Sequence, residues 1–146
     1  MSGPDRMTHD LERFVAAQQR AYDDALAEVR RGRKTGHWIW YVFPQLIGLG
    51  RSGMSQFYGI ASLDEARDYL AHPVLGPRLV SCASALLDLP ASTTAISVFG
   101  ELDAMKVHSS MTLFHRAAPD EPTFRAVLVR YFDGEADPAT DALLGT

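Results

Sequence analysis

Residues 33–59, RKTGHWIWYVFPQLIGLGRSGMSQFYG, gather two Trp, two Tyr, two Phe and five Gly within 27 positions, and their reading decides between two folds. Taken alone, IWYVF at 39–43 has the β-branched and aromatic composition of a strand. Gly48, Gly50 and Gly53 then match G-x-G-x-x-G, the turn that lets backbone approach a pyrophosphate. Asp64, Glu65 and Asp68 follow where such a fingerprint places its ribose-binding acid. The competing reading makes Thr35 the cap of a helix through Phe43, stopped by Pro44. Periodicity alone leaves helix and extended chain open over 37–43.

The flanking sequence settles the class. A dinucleotide fold needs further buried parallel strands alternating with helices, and nothing after Gly59 reads as a strand bounded by turns. The hydrophobic period is helical instead. Leu11, Phe14, Val15, Gln18, Tyr22, Ala25, Leu26 and Val29 form one stripe of a helix over 10–31, ended by Gly32. A short helix over 53–58 precedes Ser62 and Glu65, an S-x-x-E capping box for a helix to Ala71. His72-Pro73 breaks it, Pro77 sits in the first turn of a helix to Leu87, and Ser92 caps one reaching Phe99 before Gly100. Segments 101–118 and 122–132 supply two more, with Pro119 and Gly134 as stops, and 138–144 a weak final turn. The expected fold is all-α, one compact domain over 1–146 built of seven to eight short helices with no sheet, preceded by a flexible stretch at 1–9.

Composition narrows the function classes. A chain of 146 residues, 47% apolar and 22% charged, buries an ordinary core without metal or disulfide support. No apolar run approaches the roughly 20 residues that cross a bilayer, and MSGPDRMTHD carries neither a signal core nor a transit pattern. The expectation is a soluble cytoplasmic protein without a membrane partner. Cys82 is the single cysteine, in the apolar stretch LVSCASALL, so an internal disulfide and a thiolate zinc cluster are both excluded. A net charge of −4 argues against a nucleic-acid partner. Arg30, Arg31, Arg33 and Lys34 are a local exception. They read as cations complementing a helix C-terminus with Gly32 at C′, or as an anion site.

The segments DLERFVAAQ, GRKTGHWIWYVFPQLIGLG, SLDEARDYL, HPVLGPRL, VFGELDAMKVHSSMTLF and YFDGEADPAT span nearly the whole chain. Together they resemble a family of small uncharacterised proteins, domain of unknown function 1810, which includes a mycobacterial member of this size. HWIWYVFPQ, GLGRS and SSMTLF are the most specific pieces. The resemblance implies an all-helical, single-domain fold with no assigned activity. The chain departs from the family at Gly53 and His108, so the resemblance gives neither a role.

Polar groups in apolar surroundings mark a candidate site. Helix 101–118 is apolar on every side, yet Lys106, Ser109 and Ser110 project near one another at helical spacing. Lys106 snorkels to solvent or finds an acid or anion, and the serines either bond the carbonyl four residues back or face a ligand. A Ser-Lys dyad lacks an oxyanion-hole motif, and a triad assembled from five His and many acids is composition rather than evidence. No catalytic residue is assigned. His108 and His115 are seven apart, beyond the spacing that grips one metal, and His72 ends a helix by meeting its free carbonyls.

Gln18 and Tyr22 sit within the apolar stripe of the first helix and need partners. Lys34, His37, Trp38, Trp40, Gln45, Tyr58, Lys106, Ser109 and Ser110 supply cations, donors and flat rings that can converge on one pocket. Stacking falls to Trp38 or Trp40, anion contact to Arg33, Lys34 or Lys106, and hydrogen bonding to His37, Gln45, Ser109 and Ser110. Such a pocket suits a small planar anion such as a nucleotide or an ADP-ribose-like molecule, with no metal and no cofactor called for. One alternative is a protein-interaction module using an exposed aromatic segment 37–58. The other is a buried network that only specifies the fold. Burial of the rings discriminates between them, and oligomeric state is not legible.

Overall fold

The first long helix is dictated by its stripe. In the computed structural model, which describes residues 10–145, α1 (Glu12–Arg30) buries Phe14, Gln18, Tyr22, Ala25, Glu28 and Val29 along one face. Gly32, at φ +79°, ends it in a Schellman turn: the Gly32 N–H bonds the Val29 carbonyl at 2.9 Å and the Arg33 N–H that of Glu28 at 3.0 Å. The expected flexible stretch 1–9 lies outside the described residues.

The aromatic run resolves as neither a strand nor the helix over 35–43. One helical turn forms, α2 (Ile39–Val42), with no side-chain cap. Thr35 caps nothing: the helix starts only at Ile39, and the Thr35 N–H bonds the Glu28 carboxylate at 2.7 Å. Pro44 then closes the turn, with Phe43 already outside the helical region at φ −123°, ψ 71°. The only strand-like feature in the described chain is an isolated parallel bridge between Leu46 and Ile60. The glycines therefore form a connection into α3 (Gly53–Phe57) rather than a dinucleotide turn. Gly50 is required there, since a Cβ would run into the Ser55 side chain.

Ser62 caps α4 (Leu63–Ala71) as expected, accepting the Glu65 N–H at 3.2 Å. Glu65 does not close the box on Ser62. It accepts the Ala61 N–H at 2.6 Å and pairs with Arg13 at 3.1 Å, tying α4 to α1. His72 ends α4 at its C-cap as expected, but its ring does not meet the free carbonyls. Its Nδ1 accepts from the Val74 and Leu75 N–H groups at 3.1 and 3.3 Å, so the ring caps the start of α5 (Leu75–Leu87) instead of meeting the end of α4. Thr94, not Ser92, caps α6 (Ala95–Phe99) in a reciprocal box with Ser97.

Around these pack α7 (Glu101–Ala117), α8 (Pro122–Phe132) and α9 (Pro138–Leu144), giving nine helices and no sheet among the described residues. The protein is all-α. Helix α7 is the axis: it touches α2, α4, α6, α8 and α9, and buries Ala104, Val107, the run 109–114 and Ala117. No described helix is long and apolar enough to cross a membrane.

Candidate functional site

Helix α7 carries three ionic or polar groups on the flank that faces the aromatic segment, and their partners define a site. Asp103 gives Oδ2 to Lys34 Nζ at 2.7 Å and Oδ1 to Lys106 Nζ at 3.4 Å. Lys34 is fully committed, because its ammonium also bonds the Gly36 carbonyl at 2.5 Å and lies 5.2 Å from the Trp38 ring centroid. Lys106 keeps donors to spare. Its only acid among the described residues is a shared one, so one carboxylate faces two ammonium groups and the pair of lysines retains a surplus positive charge.

Between α7 and the 40–55 segment lies a cleft of about 540 Å³. Trp40, Gln45, Arg51 and Ser52 form one wall, and Lys106 and Ser109 the other. No described residue hydrogen-bonds the side chain of Gln45 or Arg51, and Trp40 is partly exposed. Ser109 is more constrained. Its hydroxyl lies 2.8 Å from Asp137 Oδ2 and 3.1 Å from the Met105 carbonyl. Asp137 is in turn the cap of α9, with Thr140 N–H and Oγ1–H donating to the same oxygen at 3.2 and 2.6 Å.

Four of the nine residues singled out in the sequence, Trp40, Gln45, Lys106 and Ser109, line this cleft. The others do not. Ser110 is fully buried with its hydroxyl unpartnered, one 100° step from Ser109 around the helix and so inside the core. Lys34 stands behind Asp103. His37, Trp38 and Tyr58 open instead on a second groove of about 760 Å³ along α1, with Arg13, Arg20 and Asp24. The single converging pocket is thus two concavities, because Trp38 turns inward to only 2% exposure while Trp40 faces outward.

That inward turn has a cause the sequence reading missed. Glu28 Oε1 accepts from Thr35 N–H at 2.7 Å, Gly36 N–H at 2.8 Å and Trp38 Nε1–H at 2.9 Å. Burial acts to raise the pKa of this carboxyl, but the three N–H donors outweigh it and hold the group below its ordinary 4.5. The signal was an acid at helical spacing inside an apolar stripe, between Ala25 and Val29. Asp103, three residues before Lys106, and Asp137, the α9 cap, were missed likewise.

The rings of the run are mostly closed, while part of its apolar surface is open. Trp38 and Phe43 are 2% and 1% exposed, and of the run's Trp, Tyr and Phe rings only Phe57 stands open at 58%. Ile47 and Met54 of the run are also open, at 43% and 39%, and a second exposed apolar group stands outside it at Ile96, Leu102 and Met105. Cys82 is fully buried and its thiol is pushed up to about 12 by burial, which leaves no thiolate at neutral pH. No cluster of three or more metal-ligating side chains forms among the described residues.

With the geometry in place, comparison with known proteins adds one firm result. The family described as "Protein of unknown function (DUF1810)" matches residues 8–144. The chain belongs to that family. It is similar to the conserved hypothetical protein Rv1873 from Mycobacterium tuberculosis, whose crystal structure shares 47% sequence identity. That match covers 94% of this chain and 97% of the mycobacterial one, with a TM-score of 0.91. None of the curated proteins matches. Family and relative both support the helical fold and leave the chemistry to the residues of the cleft.

Proposed function

We propose that the protein binds a small anionic ligand with a flat ring, of the nucleotide or ADP-ribose type, in the cleft between the 40–55 segment and α7. The observation that carries this reading is the convergence of side chains with spare donors. The Gln45 amide and the Arg51 guanidinium have no described partner, and Lys106 shares its acid with Lys34. Arg51 is exposed and Lys106 reaches water, so both are free to turn to an incoming anion, and the part-buried Gln45 amide stands beside them. Trp40 supplies a partly open ring for stacking, and the cleft volume of about 540 Å³ falls within the range of small-molecule sites.

The reading stops at binding. Ser109 donates to a carboxylate that already caps α9, an arrangement that steadies the hydroxyl and does not activate it as a nucleophile. A thermal-shift screen of nucleotides and sugar phosphates tests the proposal. A ligand at 100 times its dissociation constant stabilises by about 2.7 kcal/mol, a rise of roughly 5–10 °C in Tm for a domain of this size. No shift with any of them at millimolar concentration refutes it.

A further inference from the structure

Beside the polar cleft, on the other flank of α7, lies a second hollow of about 670 Å³ lined by Ile96, Ala104, Tyr131 and Phe132. Leu102, Met105 and His108 line both hollows. They form a ridge, not a wall. Leu102 and Met105 are 74% and 67% exposed, and Ile96 across the shelf is 59% exposed. The ridge's third member is fixed: the His108 ring lies flat on Phe132 with centroids 4.3 Å apart and planes within 2°, and its Nε2 meets the Glu135 carbonyl at 2.8 Å. A continuous surface therefore runs from Lys106 and Arg51 over two open apolar side chains onto an aromatic shelf.

Large apolar side chains so exposed and so close together mark a surface that something covers. The charges on either side of the ridge say what. The cleft holds Lys106 and Arg51 against one carboxylate, Asp137, which already accepts from Ser109 and Thr140, whereas the charged group on the shelf is Glu101 in the first turn of α7. An anionic group is attracted on one side and repelled on the other, while an alkyl or aryl chain gains only on the shelf.

Resting on the cleft reading above, we propose that the ligand is an amphiphilic anion, a phosphate or carboxylate head in the cleft with an apolar tail on the shelf, bound as a free monomer. Met105 suits the crossing point, since its unbranched side chain repacks around tails of different shape.

Calorimetric titration with ethyl, butyl and octyl phosphate, kept below micelle-forming concentration, tests this. Full burial of a methylene gives about a fourfold gain. A shelf open on one side gives about half that free energy, so the expectation is a twofold gain per methylene and octyl phosphate about 60-fold tighter than ethyl phosphate. Leu102→Ser with Met105→Ser flattens that gain. Lys106→Met weakens every member of the series.

Equal affinity for ethyl and octyl phosphate overturns the amphiphile and keeps the anion site. Failure of every member to bind overturns the amphiphile, and the anion site falls with it when nucleotides also give no thermal shift. An unchanged chain-length gain in the ridge variant, or octyl phosphate binding that ignores Lys106→Met, also overturns the proposal. So does sedimentation with phosphatidylserine vesicles by a chain that ignores monomeric octyl phosphate, which assigns the surface to a membrane instead.

Discussion

Lys106 holds Asp103 at 3.4 Å on the one carboxylate oxygen that Lys34 leaves free. The two contacts are unequal in kind. Lys34, 8% exposed in its side chain, depends on that acid, while Lys106 at 24% reaches water and can serve a ligand. Asp103 thus anchors one lysine and restrains the other.

Replacing Asp103 by Asn separates these two effects. Stability falls by about 1–3 kcal/mol because the Lys34 ammonium loses its anion in a nearly closed site. Affinity for an anionic ligand rises several-fold, since the negative charge beside Lys106 is removed and its ammonium is released. Paired denaturation and calorimetry measure both; a loss of affinity with unchanged stability contradicts this division of labour.

Glu28 organises the turn that sends Trp38 inward. Glu28→Gln removes the charge from three N–H bonds, with an expected loss of about 2–3 kcal/mol, and shifts the Trp38 indole N–H resonance. Its folded pKa lies below 4.5. Its stabilisation is therefore present above that value and is lost as pH falls through the lower folded one. Acid unfolding of the wild type should steepen below pH 4.5 relative to the variant, and coincident profiles count against the role.

His115 behaves in the opposite sense. Burial, then the charges of Arg116 and Arg125, lower its pKa from 6.5, and its Nδ1 is enclosed without a partner. The unfolded chain takes up this proton first, so stability declines as pH drops below 6.5 and levels off once the folded group also titrates. The difference in stability between wild type and His115→Asn, followed from pH 8 to 5, should shrink below 6.5; a constant difference contradicts it.

The adjacent serines of α7 are expected to diverge. Ser109→Ala loses the bond to Asp137 that fixes the start of α9, a cost of about 1 kcal/mol, and weakens a cleft ligand. Ser110→Ala removes a fully buried hydroxyl that bonds nothing, and is neutral or stabilising by about 0.5–1 kcal/mol with no effect on ligand. A destabilised Ser110→Ala shows that the hydroxyl has a partner after all.

What the sequence made legible follows from where its physics is local. The α1 stripe, the Gly32 stop, the Ser62 cap and the span of α8 depend on residues within a turn or two, and the structure has them where the pattern puts them. Segment 35–43 could not be read that way. Its shape depends on Glu28, a residue on another element, whose carboxylate binds the Thr35 and Gly36 N–H groups and the Trp38 indole and so ties 35–38 back to α1 ahead of the helix that starts at Ile39. His72 is a similar case: the ring lies between two helices, and which one it caps depends on backbone geometry the pattern does not carry. For the site, Lys106 and Ser109 stood out as polar groups on an apolar helix, and they do face Trp40 and Gln45. Trp38, His37 and Tyr58 were grouped with them by nearness in sequence alone, and the α2 turn sends them to another face.

The binding reading is tested most directly by mapping backbone and side-chain amide shifts during a titration with adenosine monophosphate. Saturable changes should concentrate at the Trp40 indole, the Gln45 side-chain amide, Ser52 and Ser109, and weaken in Lys106→Met. Absence of change up to millimolar ligand, or changes centred on His37 and Tyr58 beside α1, contradicts the assignment of the cleft.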